Sequence, residues 1–214
     1  MGEARCPTRS ENTRHALMRA AERLFAEHGL QNVTSRAIVE SSGQKNESAL
    51  QYHFGNRAGL IREIHAYWAR ELGQLRSVML ESLPTDARLR DIVAFMVTPP
   101  FELGRTNPDF RRYIRAFGPE VVLSESPAIN AMLRERGAQE IPRLLQHELP
   151  LLSANTLESR LDGAVRFASL SMAQHARQPK AFRGRDGSLF LHRLIDCLVG
   201  LLGVDASEIG RAHV

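Results

Sequence analysis

Cysteine is scarce: Cys6 and Cys197 are the only two in 214 residues. Neither sits in a C-x-x-C pair or a His/Cys cluster. No disulfide framework or zinc site is implied, which suits a reducing cytosol and a cytoplasmic protein. Long apolar runs are also missing. The greasiest segment, Leu189 to Val204, is interrupted by His192, Arg193 and Asp196, so no membrane span is expected. The opening MGEARCPTRSENTR lacks an apolar stretch, which argues against a signal peptide. Cysteine rather than Ser or Thr at position 6 argues against myristoylation. Strand signals are few: little alternation, few β-branched clusters and no Asn-Gly turn. No HExxH, P-loop, GxSxG or nucleotide fingerprint occurs. The eight histidines are scattered, and His147-Glu148 alone makes no site. The expectation is a chain that is not an enzyme, with no catalytic residues, no metal and no cofactor.

Charge of one sign is not concentrated either. The net charge is +4 and the pI about 9.6, which permits a polyanionic partner without establishing one. Residues 1–60 hold eight Lys/Arg and six Asp/Glu. Any nucleic-acid reading must therefore rest on motif and geometry.

What is there reads as helix almost throughout. Thr8 and Glu11 form a capping box for a helix over 9–28, and Gly29 stops it. Its apolar stripe is Ala16, Leu17, Ala20, Ala21, Leu24 and Phe25. A second helix spans 35–41 behind Thr34, and Ser42-Gly43 ends it. A third spans 47–53, capped by Asn46, and Asn56 caps a fourth over 57–81. Prolines then punctuate the chain, with Asn107-Pro108 and Ser126-Pro127 placed as helix starts. Helices are expected over 86–98, 108–117, 127–147, 154–177 and 187–203, with a basic loop over 178–187. The fold class is all-α: a three-helix headpiece over 9–56, then a bundle of about six helices over 57–214.

Residues 43–55, GQKNESALQYHFG, raise the functional question. Leu50 and Phe54 share one helical stripe, while Lys45, Asn46, Ser48, Gln51, Tyr52 and His53 line the rest. The turn at Ser42-Gly43 makes the second and third helices a helix-turn-helix unit. A face of this kind suits the major groove, where Asn or Gln matches adenine and Lys matches guanine. Lys45, Asn46, Ser48 and Gln51 are the candidates for reading bases. Thr34, Ser35 and Arg36 at one helix start, with Tyr52, His53 and Arg57, are the candidates for gripping phosphate. Composition alone favours a merely solvated face.

The segments RHALMRAAERLFAEHGLQNVTSRAIVESSG and SALQYHFGNRAGLIREI shift that balance. Together they resemble the tetracycline-repressor (TetR) family of bacterial transcriptional regulators. The resemblance covers about residues 12–64 and rests on Phe25 to Gly29, Thr34 to Ile38, Gly43, His53-Phe54 and Arg57. Two departures stand out. Gln51 replaces the usual tyrosine, and the turn is one residue longer, which leaves open which of Lys45, Asn46 and Glu47 enters the groove. The resemblance implies a homodimeric repressor with helix-turn-helix DNA binding, a double-stranded operator, and release by an unidentified small-molecule effector.

It also implies where the remaining sites lie. Dimerisation falls to the last two helices, with Leu157, Leu161, Val165, Ala168, Phe190, Leu194, Leu198 and Leu201 as candidates. The effector would sit among bulky residues of the middle helices: Trp68, Met79, Phe95, Met96, Phe101, Phe110, Tyr113, Phe117, Met132 and His175. Aromatic and Met residues at helical spacing are more often core than pocket. An apolar effector is expected. The rival readings are a helical carrier or interaction module without DNA binding, and a regulator that activates or lacks an effector.

Overall fold

The computed structural model describes residues 8–46, 48–123 and 137–204. Among these, nine α-helices follow in order: α1 Arg9–His28, α2 Ser35–Ser41, α3 Ala49–Phe54, α4 Arg57–Glu81, α5 Leu89–Thr106, α6 Pro108–Leu123, α7 Glu140–Glu148, α8 Ala154–His175 and α9 Gly184–Gly203. A single 3-10 turn, Leu30–Asn32, follows α1. Contacts gather the chain into two units, residues 1–68 and 69–214. The first 12 residues of α4, about three turns, thus pack with the headpiece.

The headpiece is fixed by local chemistry. The Thr8 hydroxyl accepts from Glu11 N–H at 3.2 Å and the Glu11 carboxylate accepts from Thr8 N–H at 2.6 Å. Gly29 leaves α1 at φ 81°, a value that excludes most side chains. Thr34 Oγ1 caps α2 through Ala37 N–H at 3.1 Å, and Asn56 Oδ1 caps α4 through Gly59 N–H at 2.8 Å. Leu17, Ala21, Phe25, Ile38, Val39, Leu50, Leu60 and Ile64 form the apolar interior. Trp68 is buried with them, and its indole N–H donates to the buried Glu22 carboxylate.

In the second unit α6 packs on α8, and α9 packs on both α5 and α8. The Asn107 side chain accepts from Asp109 N–H at 2.9 Å and so starts α6 ahead of Pro108 at its first position. Ser153 Oγ starts α8 through Thr156 N–H at 3.2 Å. Arg88 and Leu89 N–H both meet the Glu148 carboxylate, at 3.2 and 3.3 Å, which ties the start of α5 to the end of α7.

Several boundaries differ from the sequence expectation. The third helix begins at Ala49 rather than 47, because Asn46 Oδ1 accepts from Ser48 N–H at 2.9 Å and holds a turn there. The fifth runs through Pro99-Pro100 to Thr106 instead of ending at 98. Each proline removes the N–H that the carbonyl four residues back, Phe95 or Met96, would accept. The helix continues because Phe101, Leu103 and Gly104 beyond the prolines are buried. Likewise α6 passes Pro119 to Leu123, and α9 begins three residues early, at Gly184. Of the helix expected over 127–147, only the part from Glu140 is helical, as α7; residues 137–139 form a turn with Gly137 at φ 86°, and residues 126–136, with Ser126-Pro127, lie outside the described residues.

Two histidines make the fold acid-sensitive. Burial lowers His65 from 6.5 to about 4, and lowers His175, with Asp186 partly opposing. Both are neutral when folded, so the unfolded chain takes up protons first. Their stabilisation is complete above pH 6.5 and is lost as pH falls toward the folded values. For His65 the loss between pH 8 and pH 5 should be about 2 kcal/mol. Urea midpoints across that window should fall in the wild type and fall less in His65→Gln. A flat wild-type profile would contradict the burial described.

Candidate nucleic-acid interface and effector cavity

The helix-turn-helix is built by α2 and α3 around Gly43, which turns the chain at φ 74°. Ser42 N–H and Gln44 N–H return to carbonyls of α2, at 3.0 Å to Ile38 and 3.3 Å to Val39. Leu50 anchors α3 inward. The Arg14 guanidinium lies over the Phe54 ring, 5.1 Å from its centroid. It also pairs with Glu63 and donates to the His53 carbonyl at 3.5 Å. One arginine on α1 therefore holds both the end of α3 and the first part of α4.

The opposite side is open. Lys45, Asn46, Ser48 and Gln51 are all exposed, and Tyr52 is 82% exposed. Thr34, Ser35 and Arg36 are exposed at the start of α2. His53 is half-buried and sets its ring edge-on to Tyr52, centroids 5.0 Å apart. The geometry thus gathers the expected base-reading and phosphate residues, save one, around α2 and α3. Two carry local duties as well: Asn46 holds the turn, and Arg36 Nε meets Glu40 Oε1 at 2.9 Å.

Arg57 is the exception. Its guanidinium donates to the Leu30 carbonyl and lies over the Phe25 ring, 5.2 Å from the centroid. Side-chain type suggested a phosphate contact. In the structure the charge is turned inward and closes the corner between α1 and α2. Glu47 lies outside the described residues.

The second unit holds a cavity of about 100 Å³ among α4, α5, α6, α7 and α8. Of the expected pocket residues, Met96, Phe110, Tyr113 and Phe117 line it. Phe110, Tyr113 and Phe117 form a row of rings, with successive centroids 5.6 and 5.2 Å apart. The others go elsewhere. Trp68 belongs to the headpiece, while Met79 and the buried Phe95 do not line the cavity. Met132 lies outside the described residues. Phe101 and His175 instead pack around Phe182, and His175 Nε2 accepts from Phe182 N–H at 3.0 Å.

Sequence reasoning missed Arg76 and Ser169, which both line the cavity. A signal existed for Arg76. It continues the stripe Ile64, Trp68, Leu72 at spacing four, where an arginine on an apolar face is out of pattern.

The expected dimer residues are mostly spoken for within their own unit. Leu157, Leu161, Leu194 and Leu198 are buried in it, and Val165 and Ala168 line the cavity. Phe190 stacks on His175 with centroids 3.9 Å apart. Leu201 is half-buried. The large apolar side chains that α8 and α9 leave exposed are Phe167, Leu170 and Leu189. Among the described residues, nothing comes within 4 Å of a Cβ built at Gly163 or Gly200.

Among the described residues, no group of three His, Cys, Asp or Glu could hold a metal ion, and no helix is long and apolar enough to cross a membrane.

Residues 17–64 match the family model "Bacterial regulatory proteins, tetR family". Over 105 residues the chain is 30% identical to the HTH-type transcriptional repressor AcnR of Corynebacterium efficiens. That alignment covers 47% of this chain, and the chain spans about half the length of that relative, 55%. Among solved structures, GusR of Salmonella enterica shares the fold with a TM-score of 0.52, at 18% identity over 92% of this chain and 98% of its own. A HlyIIR mutant with an alanine-substituted segment gives 0.50, at 19% identity over 89% and 97%. At those identities the likeness is one of fold. The motif over residues 17–64, the repressor relative and the shared all-α fold agree, and through residues 17–64 the chain is similar to the tetR family of bacterial regulatory proteins.

Proposed function

We propose that this protein is a homodimeric repressor that reads a palindromic operator with α3 and leaves it when a small, largely apolar effector enters the second-unit cavity. The observation that carries the reading is the exposed polar face of α3, with Gln51 and its neighbours outward while Leu50 holds the helix from behind. Exposed donors and acceptors on a helix anchored this way suit base edges in the major groove. The cytoplasm is the compartment this function requires.

The dimer face would be the outer side of α8 and α9, around Phe167, Leu170 and Leu189. Glycines 163 and 200 would let a second chain approach closely there. Two headpieces on a two-fold axis favour half-sites roughly 34–36 Å apart. Effector and DNA would oppose each other through linkage, with a coupling of about 1–3 kcal/mol. The α4 helix is the covalent path between the sites, since Arg57 opens it and Leu72 and Arg76 line the cavity.

Selection from a random duplex library tests the reading. The enriched motif should be a palindrome, bound with a steep inverse dependence on salt. In Gln51→Ala, preference at one base of each half-site should relax by about 1–3 kcal/mol. Arg57→Ala should instead lower the thermal stability of the headpiece, in keeping with its inward contact. Enrichment of no motif would favour a helical module without DNA binding.

A further inference from the structure

The tandem prolines of α5 leave two backbone carbonyls without their helical donors, and the two are not equivalent. In an α-helix the N–H of one residue donates to the carbonyl four residues back. Each acceptor therefore lies on the helix surface between its own side chain and that of the residue four further on. Pro99 and Pro100 have no N–H to give, so the carbonyls left over are those of Phe95, beside Pro99, and Met96, beside Pro100. Met96 and Pro100 both line the cavity, whereas Phe95 and Pro99 do not. Neighbouring positions stand about 100° apart around the axis, which puts only the Met96 carbonyl on the cavity face.

Among the described residues, no cap, turn or side chain donates to the Met96 carbonyl. An acceptor without its donor at a buried wall is costly, and a ligand bearing a donor relieves that cost. The surroundings set the rest of the ligand. Phe110, Tyr113 and Phe117 form their row of rings on the same cavity, and Met96 and Met172 add soft, adaptable walls. An engineered cavity of about 150 Å³ takes benzene, and this one is about 100 Å³, so one ring is the limit.

Resting on the reading of this cavity as the effector site, we propose that it takes a small neutral ring bearing a hydroxyl, a phenol-type molecule whose O–H donates to the Met96 carbonyl. An ether or a hydrocarbon of the same size has no proton to offer an acceptor-only group. A cavity without such an acceptor would favour toluene over phenol, because a buried hydroxyl with no partner loses its hydration uncompensated.

Calorimetry on the full chain with phenol, anisole and toluene tests this. The wild type should bind phenol at least as tightly as toluene, and anisole no more tightly than toluene. Pro100→Ala supplies the missing N–H to the Met96 carbonyl, and the phenol-to-toluene affinity ratio should fall about tenfold. Toluene controls for the room that the lost ring opens. Pro99→Ala supplies an N–H away from the cavity and should leave the ratio unchanged. Alanine is the best helix former, so both variants should fold. Ser169 also lines the cavity and is the rival partner; a ratio that falls in Ser169→Ala but not in Pro100→Ala overturns the assignment to the carbonyl. So does a ratio that falls equally in the two proline variants. Binding of toluene with exclusion of phenol overturns the hydroxyl proposal and leaves the cavity as a ligand site. Binding of none of the three overturns both.

Discussion

Replacing Phe25 by alanine is expected to cost the headpiece about 3–5 kcal/mol and to abolish DNA binding. The ring is almost wholly buried in α1. It is also the surface on which the Arg57 guanidinium rests, and that guanidinium holds the Leu30 carbonyl at the corner leading to α2. Truncation therefore removes a core ring and the floor beneath a half-buried cation together. A unit of 68 residues has little stability in reserve. Phe25→Leu separates the two effects: it keeps most of the volume, loses the cation–π contact, and should cost about 1–2 kcal/mol. Thermal unfolding followed by circular dichroism, with gel shifts on the selected operator, gives both readouts. An alanine variant that unfolds at the wild-type temperature would refute this account of the corner.

The headpiece was legible because its signals are local. Thr8 with Glu11, Thr34, Asn56, Gly29 and Gly43 each act within four residues of themselves, and sequence spacing reports such contacts directly. The inward contact of Arg57 was not legible, because residue type says only that a charge is present. Where it points depends on Phe25 and the Leu30 carbonyl, which lie 32 and 27 positions away. The prolines of α5 misled for a related reason. A local rule ends the helix at Pro99, while burial of Phe101 and Leu103 outweighs the lost hydrogen bonds.

The last two helices show a different limit. Both α8 and α9 carry apolar residues on more than one side, and a period of 3.6 marks stripes without saying which one meets the same chain. The stripe through Leu157, Leu161 and Leu198 turned inward. The one through Phe167 and Leu170 remained outside. Similarly, composition could not separate core aromatics from cavity aromatics. Phe101 and Phe110 are alike in type and burial, yet only Phe110 faces the cavity.

Phe182→Ala should destabilise the second unit by about 3–5 kcal/mol, and Phe182→Gly should be the milder change by about 1 kcal/mol. The usual order is the reverse, because glycine has more freedom to lose on folding. Here the backbone decides. Phe182 stands at φ 63°, the one described non-glycine residue with positive φ. Its ring is buried among Phe101, His175 and Phe190, at centroid distances of 5.5, 5.0 and 6.2 Å. Glycines make the room on both sides: a Cβ at Gly104 would meet the ring at 3.1 Å, and one at Gly187 would meet the Phe182 backbone at 2.5 Å. Both substitutions lose the ring, and both keep the N–H that His175 accepts. Alanine retains the left-handed strain, whereas glycine releases it. Chemical denaturation of the two variants side by side measures the difference. A glycine variant less stable than the alanine one would mean that Phe182 is not held in the left-handed region, and that the ring cluster alone shapes this turn.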